Sequence, residues 1–175
     1  RTVAGRVLIS VLAVCAMAVA AGRQAAPAGD VTRTVQVGGR TRSYVLHVPK
    51  AGIGSPRPLV LVFHGGGSNP QGAIRLTGFS EKADREGFLV AYPAGSGRLP
   101  NVLTWNAGRC CAYAASQNID DVSFVREMIE DIAVFTPVDR HRVFATGMSN
   151  GGQMSYRLAA ELPDGKNGGA EGDRT

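Results

Sequence analysis

Residues 31–37 and 43–48 alternate apolar and polar side chains at a period of two. Gly38-Gly39 lies between them as a turn signal, so the two runs predict an antiparallel hairpin. A Gly/Pro-rich loop follows over 49–58. Leu59-Val60-Leu61-Val62-Phe63 is then continuously apolar, the pattern of a strand buried on both faces. Residues 69–86 are expected to be helical in part, with Ile74, Leu76, Phe79 and Ala83 on a rough stripe that Gly87 ends. Residues 88–92 form a second buried strand, stopped by Pro93. Residues 94–118 read as a long loop, of the kind that often carries function in a compact domain. Val122, Val125, Ile129 and Ile132 recur at helical spacing, which predicts a helix over 121–135. Asp120 and Asp121 favour its N-terminal end and Pro137 closes it. A strand over 142–146 and a helix from Gly152 to Leu162 complete the pattern. Strands alternating with helices after an initial hairpin predict an α/β fold with a mostly parallel sheet.

The two ends of the chain read differently. Arg1 and Arg6 precede an apolar, alanine-rich run from Val7 to Ala21, and Ala18-Val19-Ala20 and Val19-Ala20-Ala21 are both acceptable cleavage sites. Residues 1–22 are therefore expected to be a signal peptide and 23–30 a linker, which makes the protein secreted. The apolar run is shorter than the roughly 20 residues of a membrane span, so no stable membrane insertion is expected. Leu12-Ala13-Val14-Cys15 faintly resembles a lipoprotein box, with bulky Val14 where a small residue is usual, so anchoring through Cys15 is a minor alternative. Residues 31–163 form the expected, partial α/β domain. Residues 164–175 hold four glycines among charges, with Ala170 as the one apolar side chain. They cannot form a buried strand and are expected to be a disordered or out-of-frame tail.

Charge changes the picture little. The formal net charge is +5 over 175 residues. Arg1, Arg6 and Arg23 precede every acidic residue, so much of that excess belongs to the leader, and no basic run suggests a nucleic-acid partner. Cys110 and Cys111 are adjacent in a chain expected to reach an oxidising compartment. Neighbouring cysteines rarely bond each other, so a distant partner for one of them is expected, and no cysteine follows them.

The chemistry concentrates at Gly147-Met148-Ser149-Asn150-Gly151. A Gly-x-Ser-x-Gly between an apolar strand and a helix is the pattern of a nucleophile elbow, which exposes a strained serine at the end of a sheet. Ser149 is the expected nucleophile. His64-Gly65-Gly66-Gly67 directly follows the 59–63 strand, as in loops whose main-chain N–H groups face a developing oxyanion. Gly65, Gly66 and the N–H of Asn150 are the expected oxyanion hole. A serine hydroxyl needs a base, yet His47, His64 and His141 all precede Ser149. His141 lies at the far end of the elbow strand, roughly 16 Å from the serine at ~3.3 Å per residue. His64 is expected to pack structurally, and His47 to be a surface or sheet-facing residue. Asp120, Asp121 and Asp139 read as boundary residues of helix or strand. Trp105, in the long loop, is either a substrate-binding platform or a buried anchor.

Residues 59–67, Trp105-Asn106 with Cys110-Cys111, Asn118-Ile119-Asp120-Asp121-Val122 and Gly147-Met148-Ser149-Asn150-Gly151-Gly152 together resemble the secreted polyhydroxybutyrate depolymerase-like esterases, which include feruloyl and acetylxylan esterases. The resemblance runs over about residues 40–164. It implies an α/β-hydrolase fold, a Ser-Asp-His triad, no cofactor, and ester substrates on polyesters or plant cell-wall polysaccharides. Ser149 carries over as nucleophile, and the His64 loop and Asn150 N–H as oxyanion hole. The family's acid and histidine lie beyond the elbow helix, and no position here matches them. The expectation is therefore a fold truncated after that helix, an elbow strand left as an exposed hydrophobic edge, and impaired activity. The alternative is a catalytically inactive remnant or a carbohydrate-binding derivative.

Overall fold

The computed structural model describes residues 26–50 and 54–162. The expected signal peptide, residues 23–25 of the expected linker, Cys15 and the expected tail lie outside them, while Gly29 and Asp30 of that linker are already strand. The first hairpin pairs β1 (Gly29–Val37) with β2 (Arg40–Val48) antiparallel. β3 (Arg57–Phe63) and β4 (Leu89–Pro93) run parallel to each other, and β4 pairs antiparallel with β2. β7 (Val138–Gly147), the elbow strand, pairs parallel with β3. The sheet order is β1-β2-β4-β3-β7, which gives the expected parallel sheet with an antiparallel hairpin at its start.

Side chains alternate across this sheet as strand geometry requires. Leu59, Leu61 and Phe63 of β3 point to the face covered by α4 (Asp121–Phe135) and α5 (Asn150–Glu161), where they pack with Phe124, Met128, Ile132, Met154 and Leu158. Val60 and Val62 point to the other face, under α1 (Pro70–Thr77) and α2 (Phe79–Glu86). α4 has the span that its periodicity predicts. Asp120 caps it by accepting the Ser123 N–H at 3.0 Å.

Two expectations change. The single helical stripe over 69–86 is two helices, because Gly78 takes φ 61° and ends α1 with its N–H on the Ile74 carbonyl. The 94–118 loop contains structure of its own: a small hairpin of β5 (Ser96–Leu99) and β6 (Val102–Thr104), then the short helix α3 (Ala112–Ser116). The hairpin docks on the His64 loop through reciprocal main-chain bonds between Leu103 and residues Gly67 and Ser68. No helix among the described residues is long and apolar enough to cross a membrane.

β1 is tied to α4 by an ion pair. Arg33 donates to both oxygens of Asp131, at 2.7 and 2.8 Å, and the Tyr44 hydroxyl donates to the same carboxylate. The Arg33 hydrogen bond holds the Asp131 carboxyl below its ordinary range.

Among the described residues β7 is an edge strand. Phe144 is 55% exposed, and a groove of about 440 Å³ runs beside the strand, lined by Val125, Ile129, Val143, Leu158 and Leu162. An apolar edge of this kind templates association through its unpaired main-chain groups. Phe144→Lys should therefore slow aggregation of the isolated 175-residue chain, followed by light scattering at fixed concentration. An unchanged rate would show that association does not run through β7.

Candidate active site

β7 ends at Gly147 and α5 starts at Asn150, so the chain reverses within two residues. Ser149 makes that reversal with φ 51° and ψ −120°, a region that a residue with a side chain rarely enters. Such geometry costs of order 1–3 kcal/mol and persists only where its surroundings enforce it. Here the surroundings are close-packed main chain. A Cβ on Gly151 would lie 2.5 Å from the His64 carbonyl oxygen and closer still to that of Phe63. One on Gly147 would lie 2.5 Å from the Gly151 carbonyl carbon. No side chain fits at either place, and α5 is thereby drawn onto the ends of β3 and β7. Ser149 itself is exposed, with its carbonyl accepting the Gln153 N–H at 3.0 Å.

The His64-Gly65-Gly66-Gly67 loop lies directly against this turn. A Cβ on Gly65 would be 4.0 Å from the Ser149 Cβ, and one on Gly66 would be 3.5 Å from the Asn150 Cβ. The main-chain N–H groups of Gly65 and Gly66 have no partner among the described residues. The first N–H groups of any α-helix have no intrahelical acceptor, which leaves that of Asn150 free to donate. Gly65, Gly66, Ser149 and Asn150 are thus brought together at one end of the sheet.

The histidines are not. His64 is buried and both ring nitrogens are engaged: Nε2 accepts the Gly95 N–H at 3.1 Å, so Nδ1 carries the proton that it donates to the Gly65 carbonyl at 2.8 Å. Burial pushes its pKa down, which keeps the ring neutral. It shapes the loop and is not placed to take a proton from Ser149. His47 is buried rather than on the surface, with Nδ1 2.6 Å from Asp30 and Nε2 3.4 Å from Asp84. His141 is exposed near the start of β7, with the length of the strand between it and Ser149.

Of the two readings of Trp105, substrate platform and buried anchor, its burial supports the anchor. A platform for substrate needs an open ring face, and this ring is fully buried, edge-on to Phe63 and tilted against His64. Its indole donates to the His64 carbonyl at 2.9 Å. Cys110 and Cys111, for one of which a distant partner was expected, have their two sulfurs against each other.

Asp121 is the residue whose place the sequence concealed. It reads as a helix-start acid, yet it is completely buried. Arg42 donates to it at 2.7 Å and the Asn106 N–H at 2.8 Å, while the Arg42 guanidinium lies 4.1 Å over the Phe124 ring. Burial raises the Asp121 pKa while Arg42 and the Asn106 N–H oppose the rise. The distinguishing signal was a second acid beside the capping Asp120, since only one of two adjacent acids can cap the helix.

Comparison with known proteins follows the same lines. The family described as esterase PHB depolymerase matches residues 42–167. NocK of Nocardia uniformis subsp. tsuyamanensis, a protein named as an esterase, is 36% identical over 144 residues, which is 81% of this chain and 40% of that protein. Feruloyl esterase D of Neurospora crassa is 31% identical over 137 residues, 73% of this chain and 43% of that protein. Among solved structures, the acetyl xylan esterase of Aspergillus awamori superposes with a TM-score of 0.60 at 19% identity, over 76% of this chain and 48% of that one. The likeness to that structure shows a shared fold. The chain spans less than half the length of each of these three proteins.

Urea denaturation of variants at the turn reads how tightly the main chains pack there. Gly151→Ala should lower stability by about 3 kcal/mol or more, since overpacking against rigid main chain cannot relax through a side chain. Gly152→Ala is the contrast: its Cβ would be 3.2 Å from the Gly147 carbonyl oxygen, and the helical gain of alanine offsets the crowding to within about 1 kcal/mol. Equal effects at both positions would contradict the close crossing.

Proposed function

We propose that this chain, which belongs to the esterase PHB depolymerase family, carries the nucleophile and oxyanion hole of a secreted serine ester hydrolase that works through an acyl-enzyme. The observation that carries the reading is the strained, exposed Ser149 with the Gly65–Gly66 main chain packed against its turn. In the reaction, the Ser149 Oγ attacks the ester carbonyl carbon and its proton passes to a base. The carbonyl oxygen gathers negative charge, which the N–H groups of Asn150 and of Gly65 or Gly66 stabilise. Collapse of the tetrahedral species expels the alcohol, which takes up that proton, and leaves the acyl group on Ser149. Water then attacks the acyl carbon, the free acid departs, and the serine regains its proton.

None of the three histidines is placed to act as that base. The base and its orienting acid are assigned to the part of the family's proteins that this chain does not span. On this division of labour the described residues bind and polarise the ester, and the proton transfers are completed from beyond α5. The substrates are acyl esters on polymers: acetyl or feruloyl groups on polysaccharide, or the ester links of a hydroxyalkanoate polyester. The carbohydrate-binding alternative depended on an open Trp105 face, and the burial of that ring removes its support.

The test is Ser149→Ala in the intact protein. Hydrolysis of p-nitrophenyl acetate should fall by about 10⁴-fold or more, and covalent labelling by a fluorophosphonate should disappear. Turnover that survives the substitution in full would sink the serine-hydrolase reading.

A further inference from the structure

The two halves of the oxyanion hole come from different elements, the loop after β3 and the first turn of α5. A buried polar bridge joins them, and its middle member is Trp105. The Asn150 carboxamide grips the Trp105 main chain from both sides: Oδ1 accepts its N–H at 2.8 Å and Nδ2 donates to its carbonyl at 3.1 Å. The Trp105 indole then donates to the carbonyl of His64, the first residue of the glycine loop, at 2.9 Å. Asn150, Trp105 and His64 are 3%, 0% and 2% exposed, so this chain of bonds is shielded from water.

The middle of the bridge is itself held. Asp121 accepts the Asn106 N–H at 2.8 Å, and Arg157 of α5 donates to the Asn106 carbonyl at 2.5 Å. The Cys111 N–H donates to the Trp105 carbonyl at 3.1 Å. Every main-chain polar group of Trp105 and Asn106 thus has a partner, and the segment cannot shift without breaking several buried bonds, each costly to leave unmade.

We infer that Trp105 is a positioning residue that, together with the Asn150 carboxamide, sets the gap between the two sets of oxyanion donors. Asn150 then has two separate duties: its main-chain N–H faces the substrate oxygen while its side chain faces inward and fixes that N–H in place. The inference rests on the serine-hydrolase reading. Stabilisation of an oxyanion depends on donors 2.7–3.1 Å from the charge as it develops, so a small widening of the gap weakens the transition state far more than the bound ester.

The experiment compares Trp105→Phe, Asn150→Ala and the double variant in the intact protein, by steady-state hydrolysis of p-nitrophenyl acetate. Thermal melting and active-site titration with a fluorophosphonate normalise each rate to folded protein. Each single variant should lower kcat by about 10- to 100-fold, a partial loss of what deleting one donor outright would cost, with KM within about twofold. The double variant should lose little more than the worse single one, because both break the same bridge. Should Trp105→Phe not fold, Asn150→Ala leaves the tryptophan in place and carries the test alone. Unchanged kcat in folded variants, or a rise in KM with kcat preserved, would overturn the inference. A Ser149→Ala protein that still turns over would fail differently, by removing the premise.

Discussion

The start of α5 crosses the ends of β3 and β7 so closely that Gly151 has no space for a single added carbon. That contact between main chains is made by strand ends on one side and a helix turn on the other, neither of which can give way locally. It forces Ser149 through φ 51°, leaves that residue exposed, and brings the start of the helix beside the glycine loop. The serine's strain is thus compensated by the packing of Met154 and Leu158 under the sheet, where both are almost fully buried. A looser crossing would relax the serine into an ordinary turn and move Asn150 away from the glycine loop.

Close approach fixes the elbow, and the buried polar groups fix what surrounds it. Asp121, Arg42, Asn106, Trp105 and Asn150 form a connected set that joins β2, the segment after β6, α4 and α5. Burying the Arg42–Asp121 pair is expensive in desolvation, and buried ion pairs are often no more stabilising than apolar residues of similar volume. What hydrophobic packing would not supply is direction. The carboxylate accepts a particular main-chain N–H, and the carboxamide of Asn150 reads both polar groups of one residue. The same low-dielectric setting holds His64 neutral and committed to its own loop.

The sequence carried the elements whose pattern is local. α4 spans the residues that its apolar spacing marks out, and the β1–β2 hairpin follows the alternation on either side of Gly38-Gly39. The turn at Ser149 was legible as a strand-to-helix reversal because glycines flank the serine between an apolar strand and a helix. The break at Gly78 was hidden because the apolar stripe continues across it. β5, β6 and α3 were hidden because short elements leave too few residues to establish a period. Trp105 could be read as contact or core, since an indole serves both, and only the position of His64 decides between them. Asp121 looked like a helix-start charge until the fold brought Arg42 across from β2, a contact between residues far apart in sequence.

Among the described residues the sheet ends at β7, the strand that leads into the Ser149 turn. β7 is the outermost strand, with Phe144 open to solvent on a chain that spans less than half the length of the relatives and the solved structure described above. The central claim is nevertheless local to the described residues: the Ser149 turn and the glycine loop converge on one oxyanion position. The most direct measurement is a crystal structure of the intact protein after phosphonylation by a fluorophosphonate. The account predicts phosphorus on the Ser149 Oγ, with the phosphoryl oxygen about 2.7–3.1 Å from the N–H of Asn150 and from that of Gly65 or Gly66. A phosphoryl oxygen turned to solvent, or phosphorus on any other residue, would contradict it.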